Sequence, residues 1–404
     1  MRTLVLIGCS LLLSTTALSS EKLTAERYVR QVLDGPAAEV IAQEVDLAEA
    51  RSRGAGLWRN PSVSWNRQSL PGSGVAQSTE DIVWLSVPLV LSGRTFAESS
   101  AAEDGVKSAR LLSVSRRADL RRQAMVLFYR AVAAEQRRAV IEETRSRFAD
   151  VSEILETRAA AGETSGYDAL RLEMEATTIE DRAAGALLDL ASAKAEMQKL
   201  SGAAVEALDG ALVPAAPKAS HDGSPLASRL QALELQVKAA RSRASAGRRR
   251  AIPDPTIGAG VLHQGGEGLP GFTGYYVGVQ VPLPLFDRGQ GASATEEATA
   301  SRLELERQRL LAVAEASLAE ARRRLEVSRD RLAKQSENAK RGESLVEIAR
   351  KGYGLGGVGL LTLLDAERSA LDARLRATER ALDVRRAEAD VAFLTGAYDE
   401  GNTR

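Results

Sequence analysis

Residues 281–291 read VPLPLFDRGQG, two prolines set in an apolar run, and no proline occurs in residues 285–404. Proline in a helix interior costs about 3 kcal/mol, so a chain that uses it densely here and then abandons it passes from extended to helical structure at this point. All 12 prolines sit at position 36 or within 61–88, 214–225 and 253–284. The proline-free stretches 89–213 and 285–404 are therefore free to be helical for most of their length.

Working outward, the same punctuation occurs twice at a constant offset of 194 residues: Pro61 matches Pro255, Pro88 matches Pro282, Leu91 matches Leu285, and Arg94 matches Arg288. Farther on, Gly162 matches Gly356, Leu170 matches Leu364, Glu173 matches Glu367, and Gly202 matches Gly396. Matched prolines and glycines with no net insertion mark an internal duplication. The expected organisation is a signal peptide at 1–19, a first repeat at 20–202, a linker at 203–224, a second repeat at 225–398 and a tail at 399–404. Each repeat reads as a helix (about 37–57; about 225–249), a β-hairpin (about 61–90; about 255–284), a long helix (about 95–160; about 291–352) and a returning helix (about 167–200; about 360–395).

In the second strand of each hairpin, residues alternate. Val277, Val279 and Val281 share one face against Tyr276, Gly278 and Gln280, and Val83, Leu85 and Val87 share one against Trp84 and Ser86. A half-buried soluble hairpin has the same pattern. Its setting favours lipid, because Trp58, Trp65, Trp84, Phe272, Tyr275 and Tyr276 gather in or beside the hairpins, as in the aromatic girdles of membrane barrels.

Beyond each hairpin the period becomes seven. Leu120, Leu127, Ala134, Ile141, Phe148 and Leu155 recur with Ala124 and Ala131 between them; Leu311, Leu318, Leu325, Leu332, Ala339 and Val346 do so in the second repeat. Large and small residues alternating in a heptad let helices approach closely in a coiled-coil seam. Each such helix would run roughly 90 Å at 1.5 Å per residue.

Composition excludes several functions. Lys+Arg and Asp+Glu balance at 54 each, which argues against a nucleic-acid partner. The two histidines, His221 and His263, fall in the linker and at a strand end, so no triad or metal cluster can be assembled; catalytic, cofactor and metal sites are all expected to be absent. GYGLGGVG at 352–359 lacks the Gly-Lys-Ser/Thr ending of a phosphate loop and reads as a turn between helices. MRTLVLIGCSLLLSTTALSS at 1–20 has the layout of a secretory signal, and Leu6-Ile7-Gly8-Cys9 also resembles a lipoprotein box, which keeps lipidation of Cys9 open.

Four strands with one apolar face cannot close a barrel, and open edges do not survive in hydrocarbon, so several chains must share one barrel. At this point the residues carry a resemblance. The duplicated layout, the DPTIGAG…VGVQVPLPLFDRGQG block, LLDAERSAL near 363–371 and LTG at 394–396 resemble the TolC-like outer-membrane efflux family, especially its cobalt-zinc-cadmium branch.

The resemblance implies a mainly helical chain whose duplicated coiled-coil hairpins form an α-barrel in the periplasm, with four strands contributed to a trimeric, twelve-stranded transmembrane β-barrel. It implies a passive exit duct in the outer membrane, contacting outer-membrane lipid, working with a periplasmic adaptor and an inner-membrane proton-driven pump, and exporting heavy-metal cations. Gly162, Glu163, Thr164, Ser165, Gly166 and Asp168, with Gly356, Gly357, Val358, Gly359 and Leu360, would form the periplasmic tip where gating and docking occur; Pro88, Pro282 and Pro284 would mark the barrel-to-tunnel joint. Thr164, Ser165 and Asp168 equally suit the cap of the returning helix. Gly359 departs from the Ser or Thr common at family tips, and no cluster of His, Met or Cys supports a metal site. A periplasmic adaptor or another envelope coiled-coil protein is the competing reading, weakened by the presence of two equivalent hairpin units.

Overall fold

The computed structural model of the protein describes residues 22–70, 78–160, 165–205, 207–212, 225–266 and 269–396. Its helices are α1 (Ala25–Leu33), α2 (Pro36–Gly54), α3 (Arg94–Ala160), α4 (Gly166–Ser201), α5 (Pro225–Arg248), α6 (Gln290–Gly354) and α7 (Leu360–Thr395); its strands are β1 (Ser62–Leu70), β2 (Ser78–Pro88), β3 (Thr256–Gly266) and β4 (Leu269–Gln280). Shifted by 194 residues, the bounds of α4 coincide with those of α7, and Gly202 and Gly396, both left-handed, close the two helices alike. No described helix is long and apolar enough to cross a membrane. Two compact units arise: one from Met1–Gly35, Ala124–Ala215 and Arg329–Arg385, the other from Pro36–Gln123, Ala216–Ser328 and Arg386–Arg404.

In the second unit the strands form one antiparallel sheet in the order β1-β2-β3-β4. Register carries Trp65 opposite Val83, Val83 opposite Val261 and Val261 opposite Tyr275; the neighbouring row runs through Val63, Leu85, Ala259 and Val277. These rows share one face, on which Val277 is 84% and Val63 71% exposed. Toward the β1–β2 turn this apolar face ends in a polar row of Arg67, Asp81, His263 and Thr273, where Trp65 donates its indole N–H to Asp81 at 3.1 Å.

The aromatics divide between faces, with Trp84 and Tyr276 opposite the valine face as the alternation implies. Trp65 and Tyr275 lie on the apolar face, whereas Trp84, Tyr276 and Phe272 lie on the opposite one. There the Trp84 and Tyr276 rings stack at 4.7 Å and 11°. Glycine makes this possible: a Cβ at Gly260 would stand 2.6 Å from the Val83 carbonyl oxygen and 2.8 Å from both rings.

Helices of the same unit pack through Leu233, Val237 and Ala240 of α5 against Ala300 and Leu303 of α6. Ser108 of α3 adds a hydrogen bond to the Ala232 carbonyl at 3.0 Å.

In the first unit, Tyr28 of α1 is fully buried, donates its hydroxyl to the Met197 carbonyl at 2.9 Å and faces Phe128 of α3 at 6.3 Å. Burying a ring such as that of Phe128 stabilises by about 1.5–3 kcal/mol. Residues 207–212, inside the expected linker, pack here too, with Leu208 bridged to Leu23 and Leu212 buried. A second core joins four helices: Ile141, Phe148 and Leu155 (α3), Leu172 and Ile179 (α4), Val346 and Tyr353 (α6), and Leu360, Leu363 and Leu371 (α7).

The two heptad stripes differ in cover. In α3, Leu120, Ala134, Ile141, Phe148 and Leu155 are buried. In α6, Val346 is buried, Leu318, Leu325, Leu332 and Ala339 are half-buried, and Leu311 is exposed.

Candidate functional site

The expected tip residues divide between two inter-helix turns of the first unit. Gly162, Glu163 and Thr164, like Cys9, lie outside the described residues. Ser165 is the N-cap of α4: its hydroxyl accepts from the Asp168 backbone N–H at 3.2 Å and donates to the Asp168 carboxylate at 2.9 Å. Gly166 opens the helix, and Asp168 suits its first turn by charge.

The α6–α7 turn is built by glycine. Gly356 is left-handed at φ +76°, its N–H bonds the Tyr353 carbonyl at 3.1 Å, and the Gly357 N–H reaches the Gly352 carbonyl at 2.9 Å. These two bonds are the Schellman closure of a helix. Val358 folds back over Gly352, where a Cβ would stand 2.5 Å from Val358 Cγ2. Gly359 stands at the N-cap of α7, its carbonyl accepting from Thr362 at 3.1 Å. It is the 194-residue mate of Ser165, so this cap lacks the side-chain acceptor its twin has, a loss of a few tenths of a kcal/mol by typical values. Leu360 is buried beneath it.

Arg158, near the end of α3, ties that helix to the end of α6. Its guanidinium donates to the Tyr353 carbonyl at 2.7 Å and sits 4.5 Å from the Tyr353 ring centroid. A cation there also complements the C-terminal end of α6.

Sequence reasoning missed a charge cluster nearby. Glu367 of α7, 1% exposed, lies 3.6 Å from Arg147 of α3 and 3.3 Å from Arg350 of α6. Arg147 also pairs with Glu343 at 2.9 Å, Arg374 with Glu143 at 2.6 Å and Glu343 at 3.0 Å, and Arg350 with Asp150 at 3.3 Å. Burial pushes the Glu367 carboxyl above the usual carboxylate range, against the pull of Arg147 and Arg350. The Arg374 hydrogen bond holds Glu143 below that range. Three helices are thereby cross-linked close to the turns.

On the other side of α3, a groove of about 830 Å³ runs between α3 and α4. Buried Phe148, Leu155, Leu172 and Ile179 line its floor, and exposed Glu153, Glu156, Glu173 and Glu180 stand along it. The charged residues of the rim are acidic apart from Arg145, and with the apolar floor they suit a basic amphipathic helix.

At the sheet's helical end, Pro88 is the last residue of β2, and Pro282 and Pro284 follow β4. Proline supplies no ladder donor, so each pairing stops there. After β2 the chain is held by Leu89 N–H to the Pro255 carbonyl at 2.8 Å and by Arg94 to Asp254 at 3.7 Å. Among the described residues no group of His, Cys, Asp and Glu is arranged to hold a metal.

Residues 227–397 match the family model described as Outer membrane efflux protein. The chain is 27% identical over 362 residues to the cobalt-zinc-cadmium resistance protein CzcC of Cupriavidus metallidurans, covering 83% of this chain and 80% of that protein. Its fold is similar to that of the Campylobacter jejuni CmeC outer membrane channel, with a TM-score of 0.77 at 13% identity, covering 96% of this chain and 92% of that one. It is also similar to the open state of the Neisseria gonorrhoeae MtrE outer membrane channel, with a TM-score of 0.75 at 17% identity, covering 92% and 89%. The second repeat thus matches the Outer membrane efflux protein family over residues 227–397, and the chain as a whole has the fold of these outer membrane channels.

Proposed function

We propose that three copies of this chain close a twelve-stranded barrel and serve as the passive exit duct of a tripartite efflux system, with heavy-metal cations as cargo. The observation that carries the reading is the four-stranded sheet itself. It has one apolar exposed face, one face of small, polar and aromatic residues, and two unpaired edges, β1 and β4. Closure among copies removes those edges from hydrocarbon. The half-covered heptad stripe of α6 supports the same assembly, since neighbouring helices would complete it.

The duct opens at the helical turns when a periplasmic adaptor and a proton-driven pump engage it. Opening by sliding of the hairpins must break the Arg158–Tyr353 link and the ion pairs around Glu367, and the acidic α3–α4 groove offers the adaptor its purchase. The cargo class follows from the similarity to CzcC, a cobalt-zinc-cadmium resistance protein. A duct need not bind its cargo, so selection falls to the pump. Deleting the gene should sensitise cells to cobalt, zinc or cadmium, and the protein should migrate from outer-membrane fractions as a heat-modifiable, SDS-resistant trimer. A monomer in the soluble periplasmic fraction sinks the reading, and unchanged metal tolerance with a normal trimer removes only the cargo.

A further inference from the structure

We propose that β4 of one copy pairs antiparallel with β1 of the next in the register that sets Gln280 opposite Ser64, repeating between chains the seam that joins β2 to β3 within the chain. The proposal rests on the trimeric-barrel reading and adds a register to it.

From Ser62–Ser86 to Leu70–Ser78 the first hairpin's pairing recurs in the second at the 194-residue offset, before the irregularity between Gln264 and Gly266. Ser62 faces Ser86 in the first, and their mates 194 residues on, Thr256 and Gln280, face each other in the second; Trp65–Val83 maps likewise onto Ala259–Val277. Identical hairpins make the β2–β3 seam a template for the missing one. That seam pairs Pro88 with Thr256, Ser86 with Gly258, and Trp84 with Gly260. Adding the offset to the first partner and subtracting it from the second gives Pro282 opposite Ser62, Gln280 opposite Ser64, and Gly278 opposite Asn66.

The even offset carries the faces of the template seam into the new one. Side chains alternate in a strand, so a wrong register of odd slip mixes the faces. In the mapped register Val279 meets Trp65, both on the apolar face, while Gln280 and Ser64 meet on the other. Flanking segments match too. Leu57 and Trp58, ahead of β1, are 68% and 57% exposed, and Leu283 and Phe286, after β4, are 71% and 90% exposed. Ring closure brings these two apolar segments together. By analogy with Leu89 and Pro255, the Leu283 N–H would donate to the neighbour's Pro61 carbonyl. The contact is head-to-tail, so it closes a ring and does not stop at a pair.

Cysteine pairs test the register in the full-length channel. Directly opposed residues hold their Cβ atoms about 4.5–5.5 Å apart, within disulfide reach, whereas positions displaced by two are at about 7–8 Å. The double variant Ser64→Cys/Gln280→Cys should shift under mild oxidation from monomer to covalent trimer on non-reducing denaturing gels. Ser62→Cys/Gln280→Cys and Asn66→Cys/Gln280→Cys, displaced by two in either direction, should stay monomeric there, as should each single variant, which also controls for Cys9. Cross-linking in a displaced pair, or in none while a native trimer forms, overturns the register and leaves the trimeric barrel standing. Loss of the native trimer in unsubstituted protein overturns both.

Discussion

Gly354 and Gly356 stand two residues apart at the end of α6, and alanine at each should act with opposite sign. Gly354 is helical and nothing lies within 4 Å of a Cβ there, so alanine removes the entropy of an unconstrained residue and stabilises by up to about 1 kcal/mol. Gly356 also has open space around it, so sterics contribute nothing, but at φ +76° an L side chain costs about 1–2 kcal/mol. Asparagine, which tolerates the left-handed region, should recover part of that loss. The Gly357 N–H, bonded to the Gly352 carbonyl, reports the turn directly by hydrogen exchange. Since 1.4 kcal/mol is a factor of ten, Gly356→Ala should speed that exchange by about 5–30-fold. Gly354→Ala should slow it. In cells both variants should reach the outer membrane as trimers, with metal resistance reduced only by changes at Gly356. Equal signs at the two positions, or normal exchange at Gly357 in Gly356→Ala, would refute the account of the turn.

Glu367→Ala should destabilise by about 1–3 kcal/mol, below the range for stranding a buried charge, because Arg147 and Arg350 keep other carboxylates; its mate Glu173→Ala, on the exposed groove, should stay within about 0.5 kcal/mol. The raised Glu367 carboxyl contributes stability that is complete below the unfolded value of about 4.3 and is lost as pH rises through the folded one, so melting of the parent relative to Glu367→Gln should fall across that window; a flat difference would count against the buried site. Gly260→Ala should disturb the Trp84–Tyr276 stack and lower the temperature at which the SDS-resistant trimer dissociates, whereas Gly265→Ala, whose nearest side-chain atom is 3.9 Å away, should not.

The duplication made most of the fold legible, because its markers act locally. Proline ends a ladder wherever it stands and glycine permits a left-handed turn wherever it stands, so Pro88, Pro282 and Gly356 could be assigned without partners. Both α3 and α6 open in proline-free chain, at Arg94 beyond Pro88 and at Gln290 beyond Pro284. What stayed hidden depends on which elements meet. The cluster around Glu367 draws on positions 143, 147, 343, 350 and 374 of three helices, and spacing within one helix gives the Glu143–Arg147 pair but not the partners across helices. One signal was available: Glu367 falls on the stripe of Leu360, Leu364 and Leu371, a carboxylate at an apolar position, which calls for a buried cation.

The pair Glu173 and Glu367 shows where inference from a repeat must stop. Both are glutamate seven residues after the first position of a returning helix, at sequence-equivalent sites. Glu367 is buried among arginines of α3 and α6, while Glu173 lies open on a groove whose floor is apolar. Backbone register within each hairpin is set by hydrogen bonds that both repeats make, so it transfers across the offset, and the proposed strand seam extends that transfer to the junction between repeats. Side-chain environment depends on neighbours, and the neighbours of the two returning helices are not equivalent within one chain. The chain can therefore repeat one backbone plan and still place its two returning helices differently, with α7 tied by ion pairs to α3 and α6 while α4 lines an open groove.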